Sequence, residues 1–141
     1  MRAALADAGA TPGDVDYLNA HGTSTGMNDR SETAATRAVF GAEAARLNVS
    51  STKSSMGHLI AAAGAVEIAV CALAIDRGAL PVNANYTTPD PDCDLNLVLG
   101  QPHRQRVRAA MSNSFGFGGS NSCVVLRHPG EVDGLPPAGA A

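Results

Sequence analysis

The feature that most limits how this chain can fold is a unit that occurs twice in its first half: a short apolar run, a polar loop without periodicity, then a helical stretch closed by glycine. Val15 to Ala20 reads as a strand and residues 21–25, HGTST, as a loop. Asp29, followed three residues later by Glu32, gives a capping-box-like start to a helix that runs through Phe40 and ends at Gly41. The order then repeats, with a strand from Leu47 to Ser51, a polar loop from Thr52 to Gly57, and a helix from His58 to Arg77 stopped by Gly78 and Pro81. Strand, loop and helix in alternation predict an α/β fold in layers, with the polar loops gathered at one edge of the sheet.

The second helix carries Leu59, Ile60, Val66, Ile68, Val70, Leu73 and Ile75 around its whole circumference, with Ala and Gly between them, so it is expected to be buried on all sides. Such a helix needs close neighbours, and 26 Ala and 15 Gly in 141 residues supply side chains small enough for backbones to approach. Residues 2–8 read as the tail of a helix ended by Gly9, and residues 11–14, TPGD, as a turn. Beyond the second helix, Val82 to Asp94 is expected to be a long ordered loop and Leu95 to Leu99 a short strand. Ala109 to Ser114 and Ser122 to Arg127 are expected to pair as strands around residues 115–119, FGFGG. Pro129 to Ala141 has the Pro, Gly and Ala content of a flexible tail.

Charge and cysteine content exclude several function classes. Ten Lys plus Arg stand against thirteen Asp plus Glu, a net charge of −3 without a basic stripe, so nucleic acid is not an expected partner. The opening residues lack the apolar run of a leader, and Leu59 to Ile75 is marginally short for a bilayer and contains Glu67, so no membrane role is expected. Cys71, Cys93 and Cys123 are odd in number and form no CxxC pair, which points to a reducing, cytoplasmic compartment.

Chemistry-bearing residues concentrate in three polar segments, 21–25, 51–58 and 112–121. A histidine at a strand end is commonly a hydrogen-bonded structural residue, and His21 alone is weak evidence. His58, read at a helix start, has a dipole against protonation and could donate a hydrogen bond to a developing oxyanion. Metal binding is not expected, because Asp29 and the cysteines show no ligand spacing around the two histidines. Residues 116–121, GFGGSN, lack the GxGxxG spacing of a dinucleotide loop and lie between strands, where Gly118 and Gly119 can serve a tight turn.

Taken together, NAHGTST, VSSTKSSMGHLIAAAGAVE and SNSFGFGGSN resemble three signatures, in order, of the C-terminal half of the β-ketoacyl-acyl-carrier-protein synthases. The resemblance runs from about Leu5 to Arg127. It implies half of a thiolase-like fold, a layered α-β-α arrangement with a mixed, mostly parallel sheet, incomplete at the N-terminus. Residues 1–128 would be the domain, truncated at its start, and 129–141 the tail. It also implies that His21 and His58 promote decarboxylation of malonyl carrier protein by stabilising an enolate. Lys53 would support their electrostatics with Glu67 as its partner. Thr23 and Thr25 would hold the phosphopantetheine arm, for which local turn bonding is the structural alternative. Phe115 would gate the site and lend its backbone N–H to an oxyanion hole, with Gly116, Phe117, Gly118 and Gly119 as the moving loop.

The family's nucleophilic cysteine lies on a strand-to-helix elbow in an N-terminal half, and none of the three cysteines here is expected to replace it. Two histidines favour the elongating synthases over initiating ones, and a phenylalanine-bearing glycine loop favours condensation over thiolysis. The implied partners are acyl carrier protein and an N-terminal ketosynthase half or ketosynthase partner, with a homodimer typical of the full-length family. No cofactor is implied beyond the carrier's phosphopantetheine. The alternative from another class is a non-catalytic ketosynthase partner or carrier-binding module. An ideal helix through residues 58–67 would set Glu67 about 180° from His58, so the spacing itself lends Glu67 no support.

Overall fold

The computed structural model describes residues 1–131. Six strands and four α-helices follow one another along them: α1 (Arg2–Asp7), β1 (Tyr17–Asn19), α2 (Gly26–Phe40), β2 (Asn48–Ser50), α3 (Lys53–Met56), α4 (Ala63–Arg77), β3 (Ala79–Leu80), β4 (His103–Arg104), β5 (Ala109–Phe115) and β6 (Asn121–Arg127). The main sheet has the order β2-β1-β5-β6. β1 is parallel to both β2 and β5, and β6 closes the edge antiparallel to β5. β3 and β4 form a separate two-stranded ribbon.

Strand alternation divides the core into two layers. Leu18 and its register partner Met111 pack with Leu5, Phe40 and Leu47 under α1 and α2. Tyr17 and its partner Ala110 face the other way and pack with Cys71 and Ala74 of α4. Helices therefore cover both faces of a mixed, mostly parallel sheet, as expected. Asp16, just before β1, ties the sheet together by accepting the Arg108 backbone N–H at 2.7 Å and guanidinium hydrogen bonds from Nη2 at 2.6 Å and Nε at 3.1 Å.

Several details depart from the expectations. Helix α2 begins at Gly26, after the N-cap Thr25, three residues before Asp29; Glu32 makes no capping box and is buried instead. The polar segment 52–57 winds into the short helix α3. Helix α4 starts only at Ala63, because Ile60 takes a positive φ of 52° that interrupts the helical path after His58. Finally, α4 is buried on one face, at Ala63, Glu67, Cys71 and Ala74, while Leu73 is 47% exposed. Its small residues bring it close to β1 and β5, while Ala65, Ala69, Ala72 and Leu73 are exposed and Val66, Ile68, Val70 and Ile75 are half-buried.

The Leu95–Leu99 strand reduces to one parallel bridge, Val49 to Leu97. Backbone pairing is partly replaced there by Asn83, whose amide accepts from Ser51 N at 2.9 Å and donates to Val49 O at 3.0 Å and Val98 O at 3.3 Å. Of the expected tail, Pro129–Glu131 forms a 3-10 turn, with Glu131 paired to Arg106. The rest of that tail, residues 132–141, lies outside the described residues.

Candidate active site

His21 lies two residues past the C-terminal end of β1, at the edge where a parallel sheet presents its loops. The chain turns sharply after it at Gly22, whose φ is 42° and where a Cβ would lie 2.6 Å from the Ser51 Cβ. The turn aims two backbone N–H groups inward at one carboxylate: His21 N donates to Glu32 Oε1 and Gly22 N to Glu32 Oε2, each at 2.9 Å. Asn113 Nδ2, from β5, donates to Oε1 at 3.0 Å. Glu32 is 3% exposed. Its i, i+3 spacing from Asp29 suggested a helix cap, and nothing local to it foretold contacts made eleven and eighty-one residues away.

His58 reaches the same place from the segment between α3 and α4. Its ring centroid lies 5.5 Å from that of His21, with the planes at 83°, edge to face. The Phe115 ring, at the end of β5, is 5.7 Å from His21. Ile60 N donates to His58 Nδ1 at 3.2 Å, so in the neutral ring the proton sits on Nε2, which is left as a donor. Because α4 begins five residues beyond it, His58 does not sit at the helix terminus that the dipole argument required. His21 is buried and His58 exposed.

Lys53 and Glu67 form a buried ion pair, their side chains 6% and 3% exposed. The ideal-helix angle between His58 and Glu67 does not apply across the break at Ile60. Burial holds the His21 imidazole below its ordinary value, and the charges of Lys53 and His58 lower it further. The ring is therefore neutral near pH 7, as an N–H donor to a developing oxyanion would be. His21 Nδ1, Glu67 Oε2, Asn19 Oδ1 and Asn113 Oδ1 are buried and meet no hydrogen-bond partner among the described residues.

Thr23 and Thr25 hydrogen-bond to each other through their hydroxyls at 2.8 Å, which is the local turn bonding foreseen for them. They also line a cavity of about 460 Å³ with Lys53, Glu32 and Asn83; the two imidazoles are not in its wall. A recess of about 600 Å³ beside Arg37 and Gly41 touches none of these residues. In the glycine loop Gly116 N donates to Ser120 O at 2.7 Å, Phe117 is fully exposed, and Gly118 and Gly119 take φ of 75° and 81°. Each of the three thiols resists ionisation through burial: Cys71, fully buried, is pushed up to about 12, and Cys93 and Cys123 are raised. No described helix is long and apolar enough to cross a membrane.

Comparison with known proteins gives this geometry a setting. Nodulation protein E of Rhizobium meliloti is 51% identical over 127 residues, 90% of this chain and 32% of that protein. The 3-oxoacyl-[acyl-carrier-protein] synthase 2 of Staphylococcus aureus is 46% identical over 127 residues, 90% of this chain and 32% of that protein. Among solved structures, the AntDE:AntF complex, a type II PKS acyl-carrier protein with its ketosynthase bound to the hexaketide, superposes with a TM-score of 0.86. Identity there is 40%, covering 89% of this chain and 31% of the matched one. The chain thus spans about a third of the length of the curated relatives it matches. Residues 1–87, which include both histidines, Lys53, Glu67 and Glu32, match the model of the β-ketoacyl synthase C-terminal domain, and the chain belongs to that family, on a thiolase-like fold.

Proposed function

We propose that this chain supplies the decarboxylating residues of an elongating β-ketoacyl synthase, which joins a malonyl unit to an acyl thioester in fatty-acid or polyketide synthesis. The edge-to-face approach of His21 and His58 carries the reading. When the malonyl carboxylate leaves as carbon dioxide, the electron pair of the broken C–C bond passes to the thioester, and negative charge develops on its oxygen. Two imidazole N–H groups donating to that oxygen stabilise the enolate most where water is excluded. The enolate carbon then attacks the acyl thioester carbonyl, the new C–C bond forms, and the enzyme thiolate departs.

That thiolate comes from outside residues 1–141. A thiol at Cys71 that ionises only near pH 12 offers almost no nucleophile at neutral pH, and burial also suppresses ionisation at Cys93 and Cys123. The chain by itself is therefore expected not to condense. Burial and the charge of Lys53, itself paired with Glu67, keep His21 uncharged, and Thr23 and Thr25 offer hydroxyls to the phosphopantetheine arm of an acyl carrier protein. A purely non-catalytic partner subunit has no chemical need for a buried neutral histidine beside a second one, so condensation is the better reading.

The test is to combine the chain with a complementary N-terminal ketosynthase half bearing the elbow cysteine and to assay condensation of acyl and malonyl carrier proteins. His21→Ala and His58→Ala are each expected to abolish malonyl decarboxylation and condensation. Activity that survives both changes removes the proposal.

A further inference from the structure

Helix α3 is a single turn, Lys53–Met56, and a lone turn does not hold itself, because it fixes several dihedrals for very few hydrogen bonds. Two residues of the site nevertheless depend on it. Lys53 is its first residue, and His58 follows its last by two positions, across Gly57 at φ 78°. The ion pair with Glu67 secures the lysine end. The other end has no such anchor: among the described residues the His58 ring accepts only from Ile60 N, within its own segment.

What braces the turn comes from beyond helix α4. Asn83 Oδ1 accepts from Ser51 N at 2.9 Å, just ahead of α3, Ala84 N donates to Ser54 Oγ at 2.9 Å, and Asn85 Nδ2 donates to Ser54 O at 3.0 Å. Ser54 Oγ donates in turn to Ser51 O at 2.8 Å, so that hydroxyl is used in both directions. Ser54 O is among the carbonyls that a helix end leaves without an intrahelical donor, and Asn85 caps it from a distance. Asn85 itself stands at φ 61°, a left-handed conformation that Asn takes more readily than other residues with a Cβ and that persists where surrounding contacts enforce it.

We propose that Asn85 is a positioning residue of the condensing site: by capping Ser54 O it locks the α3 turn, and so sets where His58 stands against His21. The functional consequence rests on the role proposed above for the two histidines, whereas the structural content does not. Asn85 touches no reacting atom. It acts through α3 on His58, and in a site that works by aiming two donors at one oxygen a misplacement of about 1 Å costs on the order of 100-fold in rate.

Two substitutions separate the bond from the backbone. Asn85→Gly deletes the amide and leaves the positive φ unstrained, and Asn85→Ala deletes the same amide and adds strain at that φ. Followed by NMR, both are expected to lose the ring-to-ring contacts between His21 and His58. Both should also lose the hydrogen-exchange protection of the Gly57 amide, which donates to Lys53 O across the turn, while the amides of β1 keep theirs. Because the charge of His58 helps to hold down the His21 titration, that titration should rise in both. Only the melting temperature should tell them apart, with Asn85→Ala the lower. Combined with the complementary half, each variant should lower kcat by about 10- to 100-fold with KM little changed.

An Asn85→Gly chain that keeps the ring contacts and the Gly57 protection overturns the inference. So does their loss in Asn85→Ala alone, since backbone strain and not the bond is then responsible. Should neither variant fold, the side-chain amide protons of Asn85 in the unaltered chain decide: slow exchange with water supports the cap, and exchange at the free rate refutes it. If Asn85→Gly frees the His58 ring while condensation survives His58→Ala, the cap is real and the functional reading of the histidines is wrong. If His58→Ala abolishes condensation while Asn85→Gly changes neither ring nor rate, that reading stands and Asn85 does not position the site.

Discussion

Lys53 and Glu67, fourteen residues apart in sequence, meet as a buried ion pair that joins helix α3 to helix α4 across the break at Ile60. The pair crosses a segment where the backbone leaves the helical path at Gly57, φ 78°, and again at Ile60, φ 52°, so a side-chain contact fixes the angle that continuous helix would otherwise have set. The same pair accounts for a cation close enough to disfavour protonation of His21 without itself standing uncompensated.

Removing one partner leaves the other charge buried alone. Lys53→Met and Glu67→Leu are each expected to destabilise the chain by about 3–5 kcal/mol, whereas the double replacement, apolar and of similar volume, should recover most of that loss. Denaturant unfolding of the three variants checks this. Equal losses that simply add in the double variant would mean that the two side chains act independently.

The lowered His21 imidazole gives stability a pH dependence of definite sign. Its folded value lies below the unfolded value of 6.5, so the unfolded chain takes up the proton first. Its contribution is complete above pH 6.5 and is lost as the pH falls from there through the folded value, below which no further loss comes from this group. His21→Gln should flatten the stability curve in that acid window and leave the region above pH 7 nearly unchanged. Chemical denaturation at several pH values, with the ring titration followed by NMR, measures both.

Asp16 provides a second titration, at lower pH. Burial pushes its carboxyl up, but the hydrogen bonds and charge of Arg108, with that of Arg46, outweigh it and hold the group below its ordinary value of 3.8. Its stabilisation is present above 3.8 and disappears as the pH drops through the folded value. Asp16→Asn should cost roughly 1–3 kcal/mol at pH 7, the range for hydrogen bonds to a charged group. It should also make the acid limb of unfolding shallower below pH 4, as followed by circular dichroism.

Regular alternation was the part of this fold that could be read in advance. The apolar runs at 15–20 and 47–51, the polar loop at 21–25 and the strand pair around residues 115–119 all announce themselves locally, and the structure puts them where pattern alone would. Long-range contacts decided the rest. Asp29 and Glu32 satisfied a local capping rule, yet the Glu32 carboxylate is worth more to the His21–Gly22 turn, and α2 takes Thr25 as its N-cap. Ile60 has a β-branched side chain that disfavours positive φ, and nothing in its neighbours forecasts the break that frees His58 from α4. The two histidines stood out as residues, whereas their meeting edge to face depends on β1 and the α3–α4 connection lying side by side, which no spacing between positions 21 and 58 encodes.

Gly22 is where backbone conformation and packing constrain the site together. Its φ of 42° disfavours any residue with a Cβ, and an added Cβ would stand 2.6 Å from that of Ser51, closer than real side chains approach. Gly22→Ala therefore carries two separable penalties. The conformational one is about 1–3 kcal/mol, and the steric one falls on a neighbour whose Oγ is bonded to Gly22 O. Pairing Gly22→Ala with Ser51→Gly should remove the clash and return part of the lost melting temperature, while the conformational penalty stays. If the double variant melts no higher than Gly22→Ala alone, close approach to Ser51 is not what requires glycine, and the backbone angle carries the whole effect.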